Sequence, residues 1–555
     1  MMCSHRNDWQ GVLVRGIAAG LFLLAVPVLP ALATDVSGDQ SGVWSLAGSP
    51  YNLVGDVRVP PAASLVIEPG VEVIGQGHYI ITVDTGAILT AAGSADMPIL
   101  FTAVDGVTGW RGMRLEGADS ASEISYCIFE YARGVGDYPE VRGGALMIKN
   151  CSPLVSYSEF RESSSKNTNR NGTGGGICTE SSSAQILYNF VHDNEADSGG
   201  GICITEYGTP LVKGNVIVDN RAINGGGGMY FGARSSPIIE SNWIMRNYSS
   251  GWGGGGINCW NSYIFYNTYP TIRNNVIAHN STSAAGGGLY CRYDRAVLTN
   301  NLIAYNSAYY GGGIHALNQG YSAPIVRNCL IGENTATVEP QIDLEESTGS
   351  QISVSYSDVE GGYVGNGNID IYPEFVDPDG ADNIAGTEDD NYRLASGSPC
   401  IDAGDNYALD GGVVEDMDGN PRYVDDPATP DTGNGTAPII DMGPYEYQGA
   451  SFVLLDPVPG VAGQVNRFEA QGGSPGELVY FAYGVRSGST GVPGCPGLTV
   501  DLADASLIDS APADGAGTAI MQTKVPGKAQ GRLVLLQAVD RSECQKTSVV
   551  EFVFE

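Results

Sequence analysis

The sequence predicts an all-β fold, a right-handed parallel β-helix of about a dozen coils followed by a small C-terminal β-sandwich domain. Glycine clusters recur at a nearly constant spacing, and an apolar element that ends in asparagine follows each cluster in the same phase. Successive clusters lie 25, 27, 28, 32 and 25 residues apart, with their last glycines at Gly176, Gly201, Gly228, Gly256, Gly288 and Gly313. A period of this length indicates stacked structural repeats.

Each repeat offers three strand-length pieces separated by glycine and asparagine turns. The apolar elements that end in asparagine occupy residues 190–194, 216–220, 243–247, 276–280, 302–306 and 330–334. A further apolar element is usually opened by proline, as at Pro210, Pro237, Pro270 and Pro324. A three-strand unit of about 25 residues cannot bury its own apolar face, whereas stacked coils bury a continuous core and pair each strand with its neighbour.

Side-chain alternation along a strand predicts which residues face the core. The residues directly after the glycine clusters should point inward: Ile177, Ile202, Met229, Ile257, Leu289 and Ile314. The residues that follow them should point outward: Cys178, Cys203, Tyr230, Asn258, Tyr290 and His315. A column of turn asparagines should tolerate left-handed backbone angles and hydrogen-bond along the stack: Asn189, Asn215, Asn242, Asn275, Asn301 and Asn328.

The chain divides into four segments. Residues 1–33 read as a secretory signal peptide cleaved near Ala33, because basic residues precede a short apolar run and small residues follow it. The β-helix then covers 34–375, an acidic closing segment covers 376–449, and alternating strands over 450–555 form the β-sandwich. The mature chain contains no apolar run long enough to span a membrane, so a secreted or cell-surface location is expected.

The glycine-glycine-glycine-isoleucine clusters and the apolar-x-x-Asn elements resemble the repeats of right-handed parallel β-helix proteins of the pectate-lyase-like superfamily. They are also similar to the repeats of polymorphic outer membrane proteins. The likeness covers residues 42–372. Residues 396–404, 416–422 and 441–447 resemble the stretch that closes many bacterial β-helices, which the resemblance links to a C-terminal anchoring region. We interpret this stretch as a cap on the last coil.

Composition restricts the partners. The formal net charge of −34 argues against nucleic acid, whose binding needs a basic face. A neutral glycan or an anionic glycan bridged by calcium is compatible with this charge, and so is an acidic surface that only keeps an exported protein soluble. We expect a monomer whose partners are polysaccharides or cell-surface components.

An acidic stretch is a candidate structural calcium site, since dense carboxylate oxygens suit this ion. Its candidate ligands are Asp377, Asp379, Asp382, Glu388, Asp389 and Asp390. The stretch does not match the helix-loop-helix calcium loop, because Ala381 and Asp382 occupy positions where that loop needs an oxygen ligand and a glycine. An ordinary acidic turn is the alternative.

Aromatic residues concentrate in the longest repeat and beside the glycine clusters. We select six of these aromatic residues and two polar neighbours as carbohydrate-binding candidates. The aromatic candidates are Trp252, Trp260, Tyr263, Tyr266, Tyr309 and Tyr310, and the polar ones are His315 and Arg292. Aromatic faces stack on sugar rings as apolar platforms. The alternative is that a longer loop packs its own aromatic residues down.

Two functions of different classes remain open. A lyase needs acidic calcium ligands near a base, for which Lys213, Arg246, Arg273 and Arg292 are available. A hydrolase needs facing carboxylates, and the repeats show no such pair. We read His192, His279 and His315 as solvent-facing turn residues. We therefore favour a non-catalytic exported scaffold that binds polysaccharide or partner surfaces, with a polysaccharide lyase or glycoside hydrolase as the alternative, and assign no catalytic residue.

The eleven cysteines are too dilute for a disulfide scaffold. Cys495 and Cys544 stand together in the last segment and are predicted to form a disulfide. The stacked pairs Cys178 with Cys203 and Cys259 with Cys291 are predicted to be free thiols, because adjacent parallel strands strain such a bridge.

Overall fold

A computed structural model describes the chain from residue 33 onward in ranges separated by short gaps. The described residues are 33–137, 140–232, 234–261, 268–318, 323–346, 352–387, 389–409, 413–426, 429–449, 452–474, 476–495, 498–514, 517–542 and 545–555. The chain forms two compact units, the first ending at Tyr447 and the second running from Gln448 to Glu555. The predicted signal peptide lies almost entirely outside the described residues.

The first unit is a parallel β-helix whose coils each pass through up to four sheets, which we number in chain order. Sheet 2 has twelve strands, one for each coil, in agreement with the predicted number. Sheets 1 and 3 are joined at the N-terminal end by two long strands into one 23-stranded sheet. Sheet 4 has eight short strands that lie between sheet 3 and the following strand of sheet 1, a fourth piece that the three-strand prediction missed.

The strands pair in parallel and in register from coil to coil. The two long strands are Thr34–Asp39 and Tyr51–Val59. Sheet 1 contains Ile81–Val83, Met113–Glu116, Leu146–Lys149, Ile177–Glu180, Ile202–Thr205, Met229–Gly232, Ile257–Trp260, Leu289–Arg292, Ile314–Asn318 and Ile342–Glu346. Sheet 2 contains Gly42–Trp44, Ser64–Ile67, Ile88–Ala92, Glu123–Ser125, Leu154–Ser156, Gln185–Leu187, Leu211–Lys213, Ile238–Glu240, Thr271–Arg273, Val297–Thr299, Ile325–Arg327 and Ser353–Ser355.

The other two sheets complete each coil. Sheet 3 contains Glu72–Gly75, Ile99–Ala103, Cys127–Glu130, Glu159–Arg161, Phe190–His192, Val216–Val218, Trp243–Met245, Val276–Ala278, Leu302–Ala304, Leu330–Gly332 and Asp358–Val359. Sheet 4 contains Arg133–Gly134, Ser164–Ser165, Glu195–Ser198, Arg221–Gly225, Tyr248–Ser249, Ser281–Thr282, Ser307–Tyr310 and Thr335–Val338. Short 3-10 helices occur at Leu46–Gly48, Asn406–Ala408 and Gly527–Ala529.

The inside of the coils is a continuous apolar core. All of the residues predicted to point inward after the glycine clusters belong to it, which confirms that prediction. Equivalent positions stack ring on ring where they are aromatic, as for Phe101, Phe129 and Phe160, whose ring centroids are 4.5 Å and 5.0 Å apart. Burial of these stacks is the main favourable contribution to folding, since each apolar side chain is removed from water on every side.

Two ladders of buried asparagines run along the turns on either side of sheet 3. Asn220 is representative: its backbone N–H donates to Oδ1 of Asn247 at 3.0 Å, and its own Oδ1 accepts the N–H of Asn194 at 3.1 Å. Its Nδ2 also donates to the carbonyl of Val191 at 2.8 Å and to that of Val218 at 2.9 Å. The ladders thus satisfy turn groups that the sheets leave unpaired.

The structure corrects two details of the asparagine prediction. The left-handed backbone angles belong to the residue before each ladder position, as at Asp193 with φ 52° and Asp219 with φ 57°. In addition, Cys329 rather than Asn328 follows Asn301 in its ladder, where its Sγ accepts the N–H of Asn301 at 3.5 Å. Asn328 takes the left-handed position before it, with φ 52°.

The glycine clusters are required where sheet 4 returns to sheet 1. Gly199 has a φ of +67°, in the left-handed region that favours glycine. A Cβ on Gly200 would lie 2.5 Å from the carbonyl oxygens of Arg221 and Gly227 in the next coil. A side chain cannot fit at this position, so glycine recurs once per coil.

Residues 375–447, which we call the side segment, lie against the outer face of sheet 3. The segment includes the antiparallel pair Phe375–Asp377 and Asn391–Leu394. It shares one apolar cluster with sheet 3 residues from five successive coils, namely Val218, Met245, Val276, Ala278, Leu302, Ala304 and Leu330. The interpretation of this segment as a cap on the last coil was therefore wrong: its own apolar residues, such as Tyr392, Ile401 and Met442, need a wide apolar face, and sheet 3 provides it.

The second unit contains antiparallel sheets, as predicted for a β-sandwich. A three-stranded sheet contains Val453–Leu454, Val465–Gln471 and Ala519–Lys524. A five-stranded sheet contains Leu478–Gly484, Ser506–Pro512, Leu533–Asp540, Gln545–Lys546 and Val550–Val553, and a hairpin joins Ser487–Gly491 to Thr499–Leu502. The two larger sheets share one core, in which Phe468 and Met521 of the first meet Phe481 and Leu536 of the second. Among the described residues, no helix is long and apolar enough to cross a membrane.

We expect replacement of a ladder asparagine to destabilise the β-helix strongly. Asn220→Ala removes the partner of the buried Asn194 N–H and of two buried carbonyls, so the free energy of unfolding should fall by about 3 kcal/mol or more. Thermal unfolding followed by circular dichroism measures this change. The matched control is Asn169→Ala, at an exposed position, which should stay within about 0.5 kcal/mol of wild type. Equal melting temperatures for the two variants would contradict the ladder's role.

Candidate functional site

The outward-facing residues of sheet 1 form one column along the β-helix. Strand register places in this column, from coil to coil, Arg114, Met147, Cys178, Cys203, Tyr230, Asn258, Tyr290, His315 and Asp343. The turns before the glycine clusters cover much of the column, so Cys178 and Cys203 are completely buried although they face outward. After Arg114, the column changes from the sulfur-containing residues Met147, Cys178 and Cys203 to aromatic and polar residues.

Aromatic rings in the second half of this column continue onto the protein surface. Trp252 stacks on Trp260 with centroids 5.1 Å apart, and Trp260 lies 6.5 Å from Tyr290. Tyr290 is parallel to His315 at 5.3 Å, and His315 lies 6.3 Å from Tyr310, which contacts Tyr309 edge-on at 4.6 Å. We call these rings the aromatic strip, which consists of Trp252, Trp260, Tyr290, His315, Tyr309 and Tyr310.

The two ends of the aromatic strip are exposed and its middle is buried. Trp252 is 61% exposed, Tyr309 47% and Tyr310 43%, whereas Tyr290 and His315 are 6% and 4% exposed. The buried rings fix the position of the strip, and burial raises the pKa of Tyr290 to about 12, so its hydroxyl stays neutral. Large exposed aromatic residues in one connected group are typical of a binding surface rather than of an ordinary surface.

Arg292 adds a cationic group to the aromatic strip. Its guanidinium carbon lies 3.9 Å from the ring centroid of Trp260, its register neighbour, and 4.9 Å from that of Tyr293. Cation–π contact accounts for this position. Its Nε is buried and makes no hydrogen bond within the described part of the chain, so one donor of the group is unused.

An acidic group borders the other side of the strip. Nδ1 of His315 lies 2.6 Å from Oδ2 of Asp343, which follows it in the column. This contact fixes the orientation of the imidazole. The strip therefore combines flat apolar rings with a cation and a carboxylate, a combination suited to a polyhydroxylated ligand that has apolar faces.

The structure brings together most of the predicted carbohydrate-binding residues. Trp252, Trp260, Tyr309, Tyr310 and His315 contact one another through the aromatic strip. Arg292 lies directly over Trp260.

Two of the predicted residues, Tyr263 and Tyr266, lie outside the described residues, and two members of the site were not predicted. Sequence analysis missed Tyr290 as a member of the site, although its outward position in the column was a usable signal. It also missed Asp343, because the coil of Asp343 has no glycine cluster and did not enter the alignment.

A second polar group, the charge network, lies on the outer face of sheet 3. Arg161 binds Glu130 at 2.7 Å and Glu159 at 2.6 Å, and His192 lies 3.0 Å from Glu159 and 2.7 Å from Asp193. These acids and bases converge on three adjacent coils, which the sequence analysis did not foresee.

The histidines predicted to face solvent do not do so. The side chain of His192 is 15% exposed and bridges two carboxylates. His279 contacts the hydroxyl of Tyr392 in the side segment at 3.0 Å, and His315 is buried in the aromatic strip. Turn residues in a β-helix stack on the turns of neighbouring coils, so even a short loop buries its side chains.

The cations considered as lyase bases are engaged in ion pairs or in the aromatic strip. Lys213 and Arg273 both bind Glu240, at 2.7 Å and 2.5 Å, and Arg246 binds Asp219 at 2.8 Å. These pairs form ladders between register neighbours, as between Lys213, Glu240 and Arg273. In these pairs, side chains of opposite charge on adjacent coils neutralise one another.

The predicted calcium stretch uses its carboxylates within its own loop. Asp389 accepts the N–H of Asp382 at 3.1 Å, and Asp390 accepts the hydroxyl of Tyr392 at 2.6 Å. Glu388 lies outside the described residues. Among the described residues of the stretch, which also include Asp377 and Asp379, no three ligand atoms lie within reach of a single ion. Calcium binding here stays a prediction.

Two stacked cysteine pairs in the first unit were predicted to be free thiols, and one pair in the second unit was predicted to form a disulfide. Cys178, Cys203, Cys259 and Cys291 are free thiols, as predicted. Cys495 is disulfide-bonded, and its predicted partner Cys544 lies outside the described residues.

Comparison with known proteins supports the fold. A family described as right handed beta helix region matches residues 111–263. The crystal structure of pectate lyase Pel9A aligns with 14% sequence identity over 70% of this chain and 88% of that chain, with a TM-score of 0.39. No curated protein matches the chain. The family match and the parallel strand pairing establish a right-handed parallel β-helix.

The charge network should make stability depend on pH through His192. Burial lowers the pKa of His192, but the hydrogen bonds that its ring donates to Glu159 and Asp193 outweigh burial, and the pKa is raised above 6.5. A raised folded-state pKa contributes stability that is fully present below the unfolded-state pKa and is lost as the pH rises through the folded-state pKa. The difference in melting temperature between wild type and His192→Gln should therefore be largest below pH 6.5, the ordinary pKa of histidine, and should shrink as the pH rises above it. A difference that stays constant as the pH rises would contradict the charged pairing.

Proposed function

We propose that this protein is an exported, non-catalytic β-helix that binds a polysaccharide along the aromatic strip. The observation that carries the proposal is the row of ring contacts that links the exposed Trp252 to the exposed Tyr309 and Tyr310. Pyranose rings present apolar C–H faces of the same width as these side chains. Stacking them on the strip would remove both surfaces from water.

Polar groups at the strip support a sugar ligand over a purely apolar one. The partly exposed guanidinium of Arg292 and the partly exposed carboxylate of Asp343 offer a donor and an acceptor for hydroxyl groups. Hydrogen bonds of this kind fix the orientation of a ligand that stacking alone would leave free to slide.

The remaining features are consistent with an extracellular partner. The basic and apolar residues before Ala33 support export. The net charge of −34 favours a neutral glycan or an anionic one bridged by calcium. If no glycan binds, the partner to test is a cell-surface protein, which would contact the same exposed rings.

The charge network favours one alternative function, glycan cleavage. Glu130, Glu159 and His192 are carboxylates and a base on neighbouring coils, the residue types that a hydrolase or lyase uses. Glu130 and Glu159 both already bind Arg161. Burial raises the pKa of Glu159, but its contacts with His192 and Arg161 outweigh burial, so that its pKa is lowered. A general acid needs a raised carboxyl pKa, and for this reason we rank cleavage second.

The first experiment is a glycan array with residues 34–555 in the presence of calcium. Loss of one exposed ring should weaken binding of the selected glycan by about tenfold, because a stacked ring contributes about 1.4 kcal/mol. Trp252→Ala and Tyr310→Ala are the variants, and titration calorimetry measures the dissociation constant.

The control is Tyr407→Ala, which removes a ring that is 71% exposed on the side segment and outside the aromatic strip. This variant should bind as wild type does. Equal affinity for all three variants would place the ligand elsewhere on the protein and would refute the strip as the site.

Binding should leave the glycan intact. We expect no new reducing ends and no unsaturated ends after prolonged incubation of wild-type protein with every glycan that it binds. If such ends form and Glu159→Gln abolishes them, the charge network is catalytic and the non-catalytic proposal is wrong. Binding affinity measured on the same samples separates loss of cleavage from loss of binding.

A further inference from the structure

The side segment contains a group of carboxylates that neither the aromatic strip nor the charge network includes. Asp402, Asp425 and Asp431 each offer one carboxylate oxygen, and these oxygens lie within 4.8 Å of one another. Like charges at this separation repel, and the repulsion needs a compensating positive charge. The two arginines of the side segment form other ion pairs, since Arg393 binds Asp418 and Arg422 binds Glu446.

Asp402 is the buried member of the group, and one of its two carboxylate oxygens has no hydrogen-bond partner among the described residues. The residue is 0% exposed, and its Oδ1 makes no hydrogen bond within the described part of the chain. Its Oδ2 accepts the backbone N–H of Asp426 at 3.2 Å. An unpartnered carboxylate oxygen in a buried position is costly, so a partner is expected where the three carboxylates meet.

The backbone holds the group in place from two sides. Asp402 follows Cys400 and Ile401, which belong to the apolar cluster between the side segment and sheet 3. The chain returns at Thr432 and Gly433, whose N–H groups both donate to the carbonyl of Asp402 at 3.0 Å. The buried carboxylate is thereby fixed, while Asp425 and Asp431 approach it from an exposed loop.

We propose that Asp402, Asp425 and Asp431 bind a calcium ion that ties this loop to the interior of the side segment. Calcium prefers carboxylate oxygens and accepts six to eight ligands in flexible geometry. One buried and two exposed carboxylates leave room for water to complete such a shell. Magnesium fits less well, because it demands near-ideal octahedral geometry. The site is separate from the acidic stretch around Asp382, whose carboxylates accept hydrogen bonds from their own loop.

Titration calorimetry of calcium chloride into residues 34–555, stripped with a chelator, tests the proposal. Asp431→Asn should weaken the binding at least about tenfold, because a carboxamide supplies an oxygen without its charge. Asp402→Asn should abolish it. Asp431 is exposed, so its variant should fold even if a change at the buried Asp402 does not. The matched control is Asp382→Asn, which should bind this ion as wild type does.

Melting temperature gives a second readout. Calcium should raise it in wild type and in Asp382→Asn but not in Asp431→Asn. Calcium affinity that is unchanged in both Asp431→Asn and Asp402→Asn would overturn the proposal, and so would a loss confined to Asp382→Asn. Glycan affinity of Trp252→Ala is measured separately, so failure of the proposed function leaves this test intact.

Discussion

Parallel stacking in register is the constraint on which the rest of this structure depends. Every residue in a coil has the equivalent residue of the next coil as its neighbour, at the strand spacing of about 4.8 Å. A requirement at one position therefore recurs in every coil. Gly200 is glycine because carbonyls of the following coil lie 2.5 Å from its missing Cβ, and Asn220 is asparagine because Asn194 and Asn247 are its partners.

The same rule explains why the outer faces differ from one another. Where outward positions carry alternating charge, as from Lys213 through Glu240 to Arg273, register produces a ladder of ion pairs. Where they carry rings, register produces stacks such as Tyr290 on His315. The aromatic strip is thus assembled from residues that are far apart in sequence but occupy one column, and its rigidity comes from the coils beneath it.

Periodic features could be predicted from the sequence, and aperiodic ones could not. The inward column and the turn asparagines follow from the repeat alone. The position of the side segment does not, because its partners Val218, Met245 and Leu302 face away from the core and look like ordinary strand residues in the sequence. Asn328 was misplaced for a related reason. Two adjacent residues occupy this turn, and the sequence does not show that Cys329 pairs with Asn301 while Asn328 contacts Asp405.

The candidate site also contains residues that could be predicted from the sequence and residues that could not. Exposed rings beside glycine clusters identified both ends of the aromatic strip. Asp343 was not predicted because its coil lacks the glycine cluster. The charge network was not predicted because Glu130 and Glu159 precede the clear repeats in the sequence. Pairings across coils without a shared motif require the register itself, which a single sequence does not supply.

The side segment has a mechanical consequence. A stack of coils alone would peel open one coil at a time under a pulling force, since each coil contacts only its neighbours. The side segment touches sheet 3 over five successive coils, and Arg422 reaches Asn274 at 3.0 Å while Gly443 donates to the carbonyl of Asn328 at 2.8 Å. These contacts join the five coils into one cooperative unit. Under a pulling force this half of the helix should therefore unfold in a single large step, while the coils before Val216 should unfold one after another.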